Sequence, residues 1–403
     1  MKTVEFIKFF STAGAQLVNL DAVPGVSPRR APPHHMKKFA LTALLFGCAF
    51  GVVRGQLYVT DPANDNVVQF NQTTGAFEGI FVPGGNSWSP NDATGLTFGP
   101  DGNLYVVGTG TGFVMRFDGS DGSPLPGPNV LVPPMFTTSQ FTTFSGFNGS
   151  LNGAQDIVFG TDVSGDLYPE IYVSNGSSNK ISVFNGATGD WIADHTLISP
   201  GGSNPAFVGM TVSPSGQIYV VDGNDSPFDI YASNVLRFDP VAGTFIPFVV
   251  TAANQGNFRT AITFSPDGQF LYVSNWGGGA PNFFPPQIQR FSGTTGAFID
   301  SFMASGLNQP RGLEFGPDGN LYIANFFHNP PTFMDPGTPG MVFRYDGTSA
   351  SPFAVGGNPA NFFDVAFPSL AAVPETNTVV IGIMICSLLL LHFERRRRAR
   401  TRR

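Results

Sequence analysis

One short stretch of the chain has the spacing of a calcium-binding loop. The oxygen-bearing residues at its positions 1, 3, 5, 7 and 9 are Asp162, Ser164, Asp166, Tyr168 (through its carbonyl) and Glu170. Alternating oxygen ligands around a glycine bend are the donors that Ca²⁺ prefers. Leu167 stands where such loops usually have glycine. Two interpretations therefore stay open, a calcium site and a plain solvated turn.

A second group of polar side chains falls at the predicted ends of strands. Carboxylates and amides around one opening can bind a divalent cation or a polar ligand through their oxygens. The same side chains can instead bond the amides of neighbouring turns, which is their usual role at strand ends. The candidate ligand-binding residues are Asp61, Asp156, Asn175, Asp222, Asn275, Asn325, Asp364, Arg259 and Arg311.

Histidine and cysteine chemistry has little support in the chain. Of five histidines, only His195 and His328 fall among the repeats described below, and they belong to different repeats. The two cysteines, Cys48 and Cys386, lie outside the repeats. A zinc site needs several such ligands together, and a catalytic triad needs a paired base. The sequence therefore assigns no catalytic residue.

The elements that must position the polar residues form a repeat. Segments 94–107, 260–273 and 312–326 each read as a strand, a Pro-Asp-Gly turn and a second strand. Proline presets φ in such turns and glycine accepts the positive φ. A third strand ending in an aromatic residue and a fourth apolar strand follow, which is typical of a propeller blade. The first-strand anchors are Phe98, Phe159, Val212, Phe264, Phe315 and Phe367, separated by 61, 53, 52, 51 and 52 residues.

The two ends of the repeat region predict a closed ring. The region opens with a second-type strand at 57–59, and it finishes with a surplus first-type strand at 363–367. We expect this last strand to complete the first blade, since closure removes exposed sheet edges. The predicted fold is an all-β, six-bladed β-propeller over residues 56–370. Because neighbouring strands are antiparallel, first-strand starts and second-strand ends should meet at one mouth of the ring.

The repeated run Gly-Pro-Asp-Gly-Asn-Leu-Tyr at 316–322 resembles the repeats of NHL and gluconolactonase-like six-bladed propellers. The second resemblance implies a lactonase that binds a metal through Glu, Asn and Asp at the polar mouth. This chain has no Glu at a first-strand start, and Glu314 falls inside a strand. We therefore expect a binding or scaffold module, with a metal-dependent lactonase or hydrolase as the alternative and Ca²⁺ as the candidate cofactor.

The N-terminal region predicts export. Residues 36–55 combine Lys37 and Lys38 with an apolar, small-residue run, which is the composition of a secretory signal peptide and its helix. Residues 1–35 show no periodic pattern, and they read as a mis-annotated start or a disordered leader.

The C-terminal region predicts a sorting tail. Val373, Pro374 and Glu375 lie in a linker over 371–377, an apolar run over 378–394 predicts one transmembrane helix, and an Arg-rich segment over 395–403 predicts a cytoplasmic end. This arrangement resembles the PEP-CTERM tails of bacteria that make exopolysaccharide. The resemblance implies processing by an exosortase and a location in the medium or at the cell surface. Thr376 replaces the second proline of the usual motif.

Separately, the aromatic, Gly- and Pro-rich loops at 276–286 and after Phe326 suit carbohydrate stacking or simply cap the mouth, so carbohydrate or matrix polymer is a candidate partner.

The charge of the repeat region limits its partners. Residues 56–375 contain 25 Asp and Glu against 7 Lys and Arg, a net charge of −18. Such a surface repels nucleic acid and anionic lipid. We expect neither as a partner of the propeller.

Overall fold

The repeated hairpins form the two inner strands of six antiparallel sheets. The computed structural model describes residues 55–125, 151, 153–178, 180–196, 206–223, 234–249, 259–276, 285–326, 340–356 and 361–368. The first strands are β4 (Ala93–Phe98), β7 (Ala154–Gly160), β11 (Ala206–Val212), β15 (Arg259–Phe264), β19 (Pro310–Phe315) and β23 (Val365–Ala366). The second strands are β1 (Gln56–Asp61), β5 (Leu104–Gly108), β8 (Glu170–Asn175), β12 (Ile218–Gly223), β16 (Phe270–Asn275) and β20 (Leu321–Asn325).

The outer strands complete the blades. The third strands are β2 (Asn66–Asn71), β6 (Met115–Phe117), β9 (Lys180–Phe184), β13 (Asn234–Asp239), β17 (Gln287–Ser292) and β21 (Gly340–Tyr345). The fourth strands are β3 (Phe77–Val82), β10 (Trp191–Thr196), β14 (Thr244–Val249), β18 (Phe298–Phe302) and β22 (Ala350–Gly356). We number the blades from the one containing β1. Blade 2 has three strands in the described chain, and a bridge from Phe117 to Pro124 continues it outward.

Ring closure by the last strand is confirmed. β23 pairs antiparallel with β1, with Val365 opposite Val59 and Ala366 opposite Tyr58. Each first strand also contacts the first strand of the next blade, from β4 through β7, β11, β15 and β19 to β23 and back to β4. The described chain is therefore an all-β, six-bladed propeller, as the repeat predicts.

Aromatic pairs between blades explain the anchors of the repeat. Each second strand carries a tyrosine, and five of the six tyrosines meet, edge to face, the phenylalanine anchor of the next blade. The ring centroids of these pairs lie 4.8 to 5.4 Å apart. Such pairs contribute about 0.5–1.5 kcal/mol beyond the burial of their area. The pairs are Tyr58–Phe98, Tyr105–Phe159, Tyr219–Phe264, Tyr272–Phe315 and Tyr322–Phe367.

A bulge interrupts the first strand of blades 2 to 6 at the same place. The register shifts between residues 93 and 96, 154 and 156, 207 and 210, 259 and 262, and 310 and 313. A bulge leaves backbone groups without ladder partners and bends the strand. The residues at or next to the bulge are Gly95, Asp156, Gly209, Ala261 and Gly312, and the equivalent residue of blade 1 is Asp364, directly before β23. We call these six the bulge residues.

Hydroxyl side chains accept the backbone N–H of the bulge residue in blades 1, 3 and 5. In blade 3 the Ser174 hydroxyl accepts the Asp156 N–H at 3.0 Å and donates to the Val208 carbonyl of blade 4 at 2.6 Å. In blade 1 the Thr60 hydroxyl accepts the Asp364 N–H and donates to the Thr94 carbonyl of blade 2. In blade 5 the Ser274 hydroxyl accepts the Ala261 N–H and donates to the Arg311 carbonyl of blade 6. Each hydroxyl therefore joins its own bulge to the next blade.

Glycines occupy the bulge in blades 2, 4 and 6. A Cβ added at Gly95 would lie 2.6 Å from the Asp156 Cα, and one added at Gly312 would lie 2.5 Å from the Asp364 Cα. A Cβ added at Gly209 would lie 2.6 Å from the Ala261 Cα. The ring is thus built from three blade pairs, each with a glycine packed against a larger residue. Only glycine permits this close approach of neighbouring backbones.

The predicted leader, signal peptide, linker, membrane helix and Arg-rich tail lie outside the described residues. Among the residues that are described, no helix has the length and apolar character needed to cross a membrane.

Candidate functional site

The six first strands enclose a cavity on the axis of the ring. Its volume is about 530 Å³, and its walls run from the bulges to the C-terminal ends of the first strands. We call it the axial cavity. A second cavity of only about 10 Å³ lies on the other side of the bulges, towards the first-strand starts. The bulge residues, whose ring we call the constriction, include members that line both cavities, and the axial cavity lies on the side opposite the mouth that the sequence singles out.

Three carboxylates line the axial cavity: Asp156 of blade 3, Glu314 of blade 6 and Asp364 of blade 1. We call these three the axial carboxylates. Asp156 and Asp364 are bulge residues at equivalent positions, and their side chains are partly buried. Glu314 lies two residues beyond Gly312, opposite Tyr322, and its side chain is exposed to the solvent of the channel.

Asp156 and Asp364 each hold two blades together. The Asp156 carboxylate accepts the N–H of Ile157 at 2.7 Å and the N–H of Met210, in blade 4, at 2.6 Å. The Asp364 carboxylate accepts the N–H of Val365 at 2.9 Å and that of Leu96, in blade 2, at 3.2 Å. The side chains therefore replace ladder bonds that the bulges remove.

The interior of the ring raises the pKa of all three axial carboxylates. Burial raises the pKa of Asp156 to about 7, although its two amide hydrogen bonds oppose the shift. Desolvation by the walls of the ring that surround it, with the charge of Asp156, raises the pKa of Glu314 to about 8, although its side chain keeps access to the open volume of the cavity. Burial, the charge of Asp156 and that of Glu314 hold the pKa of Asp364 well above its usual range. At neutral pH these groups therefore hold protons that exposed carboxyls have lost.

The predicted mouth residues of blades 1, 3 and 6 bond to loops and neighbouring strands. Asn325 accepts the N–H groups of Asn308 and Gln309 at 2.9 and 3.2 Å. The Asn175 amide donates to the Ser182 hydroxyl at 2.9 Å. In blade 1, the Asp61 carboxylate accepts the Asn361 N–H at 3.2 Å and the Asn64 side-chain amide at 2.7 Å.

Strand register places the other two mouth residues at second-strand ends. Asp222 in β12 lies opposite Phe207, and Asn275 in β16 lies opposite Arg259 and is fully buried. The five predicted residues Asp61, Asn175, Asp222, Asn275 and Asn325 therefore do share one end of the ring. Asp156 and Asp364 sit deeper, at the constriction.

The two arginines lie in different surroundings. The Arg311 guanidinium stands 4.4 Å from the Trp276 ring centroid, 5.3 Å from that of Phe326 and 5.1 Å from that of Phe363. These contacts place it among aromatic rings on the mouth side of the constriction.

Arg259, by contrast, is 1% exposed. It donates from Nε and Nη2 to the Gln289 side chain at 3.1 and 3.0 Å, and burial lowers its pKa to about 9. It therefore bonds within blade 5.

The predicted calcium loop is held by its own carboxylates. Asp162 accepts the N–H groups of Gly165 and Leu167 at 2.6 and 2.8 Å. Glu170 accepts the Ser164 N–H at 3.0 Å, and Leu167 adopts φ 69°. Within the described part of the chain, no group of three or more His, Cys, Asp or Glu side chains is placed to hold a metal ion. Calcium binding at this loop stays a prediction.

The rest of the loop is tied to the following turn. Asp166 accepts the Tyr168 N–H at 2.8 Å and the side-chain amide of Asn185 at 2.8 Å. The loop therefore has a defined shape that is compatible with the solvated-turn interpretation.

Glu314 is the site residue that the mouth pattern missed. Residues two apart on a strand face the same side, so Glu314 shares the axial face with Gly312. This two-residue alternation is the sequence signal that could have identified Glu314. The bulge hides the constriction from sequence reasoning, because an extra residue in one strand changes which side chains face inward.

Comparisons with known proteins support the fold alone. No protein-family profile matches the chain, and no curated protein matches it. A chain in the crystal structure of a nidogen/laminin complex is similar, with a TM-score of 0.50 and 13% identity over 79% of this chain and 98% of that one.

Two further structures overlap less closely. A protein of unknown function from Bacteroides caccae has a TM-score of 0.49 and 12% identity over 78% of this chain and 99% of that one. A Bacteroides uniformis protein provisionally described as a 6-phosphogluconolactonase has a TM-score of 0.48 and 16% identity over the same shares. At such identities, the nidogen/laminin likeness supports the propeller fold alone.

Proposed function

We propose that this chain is a binding module that takes a polar ligand into the axial cavity. The observation that carries the proposal is the cavity itself, about 530 Å³ in volume, with carboxylates on three of its six walls. This volume falls in the range of small-molecule sites, about 300–1,000 Å³. Such sites combine an apolar wall with a few convergent polar groups.

The chemistry of the walls favours a hydroxyl- or amine-bearing ligand. Carboxyl groups that hold a proton near neutral pH can both donate and accept hydrogen bonds. Thr97, Thr211 and Thr263 line the same cavity and add hydroxyl groups. A saccharide unit presents several hydroxyls that such groups can bond, which agrees with the predicted matrix partner.

A metal-dependent lactonase or related hydrolase is the second candidate. It is favoured by the raised pKa values of Asp156 and Glu314, because general acids and bases work best when their pKa lies near the operating pH. Against it, the asparagines of the predicted mouth already bond to loops and strands, as Asn325 does with Asn308.

Binding and hydrolysis are separated by one pair of assays on the purified full chain. A glycan array followed by calorimetry measures binding, and a panel of lactones with and without Ca²⁺ measures turnover. The binding proposal expects saturable binding that Glu314→Gln weakens about tenfold, the worth of one hydrogen bond, because a carboxyl can donate or accept at either oxygen and the amide cannot. The control Glu78→Gln alters an exposed carboxylate on β3 and should bind normally. Metal-dependent turnover that Glu314→Gln abolishes would replace binding by the hydrolase alternative.

We further propose the export and sorting that the terminal regions predict, with calcium at the Asp162 loop as the structural cofactor. The support is the signal-like composition of 36–55 and the Val373-Pro374-Glu375 tail with its apolar and Arg-rich segments. Mass spectrometry of the secreted protein tests it. A mature chain starting near residue 56 and ending near Glu375 is expected, whereas an intact chain retained in the cytoplasm rejects it.

A further inference from the structure

The axial carboxylates occupy the places where neighbouring blades meet. Asp364 lies on the closing segment of the ring, immediately before β23, and it bonds to Leu96 of blade 2. Asp156 bonds to Met210 and so joins blade 3 to blade 4. Glu314 adds a third carboxylate to the lining of the same cavity. Two of the three acids therefore bond across blades, and all three face one cavity.

We propose that the axial carboxylates form a proton-controlled lock on the ring, which is tightest when they are protonated and loosens when all three ionise. The lock is a property of the fold without a ligand. It therefore stands or falls independently of the binding function proposed above.

The first strands beside the axial carboxylates contribute little opposite charge. β4 and β11 carry no ionisable side chain. β15 contributes Arg259, which is engaged with Gln289, and β19 contributes Arg311, which lies among three aromatic rings.

The second strands beside these groups add acids and phenols rather than bases. β5 carries Tyr105, β12 carries Asp222 and Tyr219, and β20 carries Tyr322. The remaining ionisable residues there are Asp61 and Tyr58 on β1, Glu170 and Tyr172 on β8, and Tyr272 on β16.

The direction of the effect follows from proton linkage. The folded-state pKa values of Asp156 and Glu314, about 7 and about 8, exceed the ordinary values of 3.8 and 4.5. Between these limits the folded chain holds protons that the unfolded chain has released, so unfolding becomes easier as pH rises. For these two groups the penalty is absent below about pH 4 and complete above about pH 8, and Asp364 adds a penalty of the same sign.

Glu314 is the residue to change, because the ring supplies natural replacements at its position. In register, Thr97, Thr211 and Thr263 lie opposite the tyrosines of their blades, as Glu314 lies opposite Tyr322. Glu314→Thr therefore installs the residue found in three other blades, and Glu314→Gln keeps the shape of the side chain. If one variant fails to fold, the other still tests the lock.

The experiment is thermal unfolding of the full chain from pH 5 to pH 9 without ligand. We expect the Tm of the unchanged chain to fall by at least about 3 °C over this range. In Glu314→Gln and Glu314→Thr the Tm should fall less, with the gain over the unchanged chain confined to high pH. The control Glu78→Gln should follow the unchanged chain. Equal pH slopes in all four proteins, or a Tm that rises with pH, overturns the lock.

Discussion

The Asp364 carboxylate accepts the backbone N–H of Leu96 at 3.2 Å across 268 residues of sequence. The equivalent carboxylate of Asp156 accepts the N–H of Met210 in the same geometry. In blade 5 the equivalent residue is Ala261, whose N–H bonds to the Ser274 hydroxyl. A hydroxyl therefore bonds to this position in blades 1, 3 and 5, and in blades 1 and 3 the residue there is an aspartate that also bonds to the next blade.

Removing an inter-blade hydroxyl should cost stability. In Ser274→Ala the buried N–H of Ala261 loses its partner at 2.8 Å, and the Arg311 carbonyl loses its donor at 3.0 Å. We expect a loss of about 1–3 kcal/mol in the free energy of unfolding, measured by urea titration. Ser301→Ala, on the exposed face of β18, is the control and should change it little. Equal losses of stability in the two variants would contradict the role of the Ser274 hydroxyl in joining blades 5 and 6.

The aromatic anchors should matter more than exposed phenylalanines. Phe264 is 6% exposed and packs 4.9 Å from the Tyr219 centroid. Phe264→Ala should lower the free energy of unfolding by about 3–5 kcal/mol, since it leaves a cavity between blades 4 and 5. Phe298→Ala, at a position that is 44% exposed, should cost about 1 kcal/mol or less. Comparable losses in the two variants would argue against the inter-blade role.

Calcium should stabilise the chain if the Asp162 loop binds it. A ligand that binds only the folded state raises the Tm by mass action. We expect a rise at millimolar calcium relative to a chelator, and its loss in Asp162→Asn. Asp267→Asn is the matched control, because Asp267 also accepts backbone N–H bonds in a turn. The absence of any shift in the unchanged chain would leave the loop as a solvated turn.

The repeat predicts the fold well because its residues perform the packing. The phenylalanine anchors fill the spaces between blades, and Asp101 and Asp318 of the Pro-Asp-Gly turns accept hydrogen bonds from Tyr105 and Tyr322 at 2.9 Å. The same residues that set the period therefore hold the blades together, so pattern and structure agree.

The site was less predictable, because it depends on register. The bulge between Arg259 and Ile262 leaves Arg259 buried in its blade, and no sequence period marks a bulge. The inward face of Glu314 follows from alternation alone, while the raised pKa values of the axial carboxylates depend on which groups the closed ring brings around them. The distances between groups on different blades are set only once the ring has closed.

Ring closure is tested most directly by a disulfide between the two chain ends of blade 1. Val59 and Val365 lie opposite each other and are buried in one cluster. In a full chain with Cys48 and Cys386 replaced by serine, Val59→Cys with Val365→Cys should cross-link on mild oxidation and raise the Tm. The control pair Val59→Cys with Ile262→Cys, in blades 1 and 5, should stay reduced. A first pair that remains reduced, or a control pair that links as readily, would contradict the closed six-bladed ring.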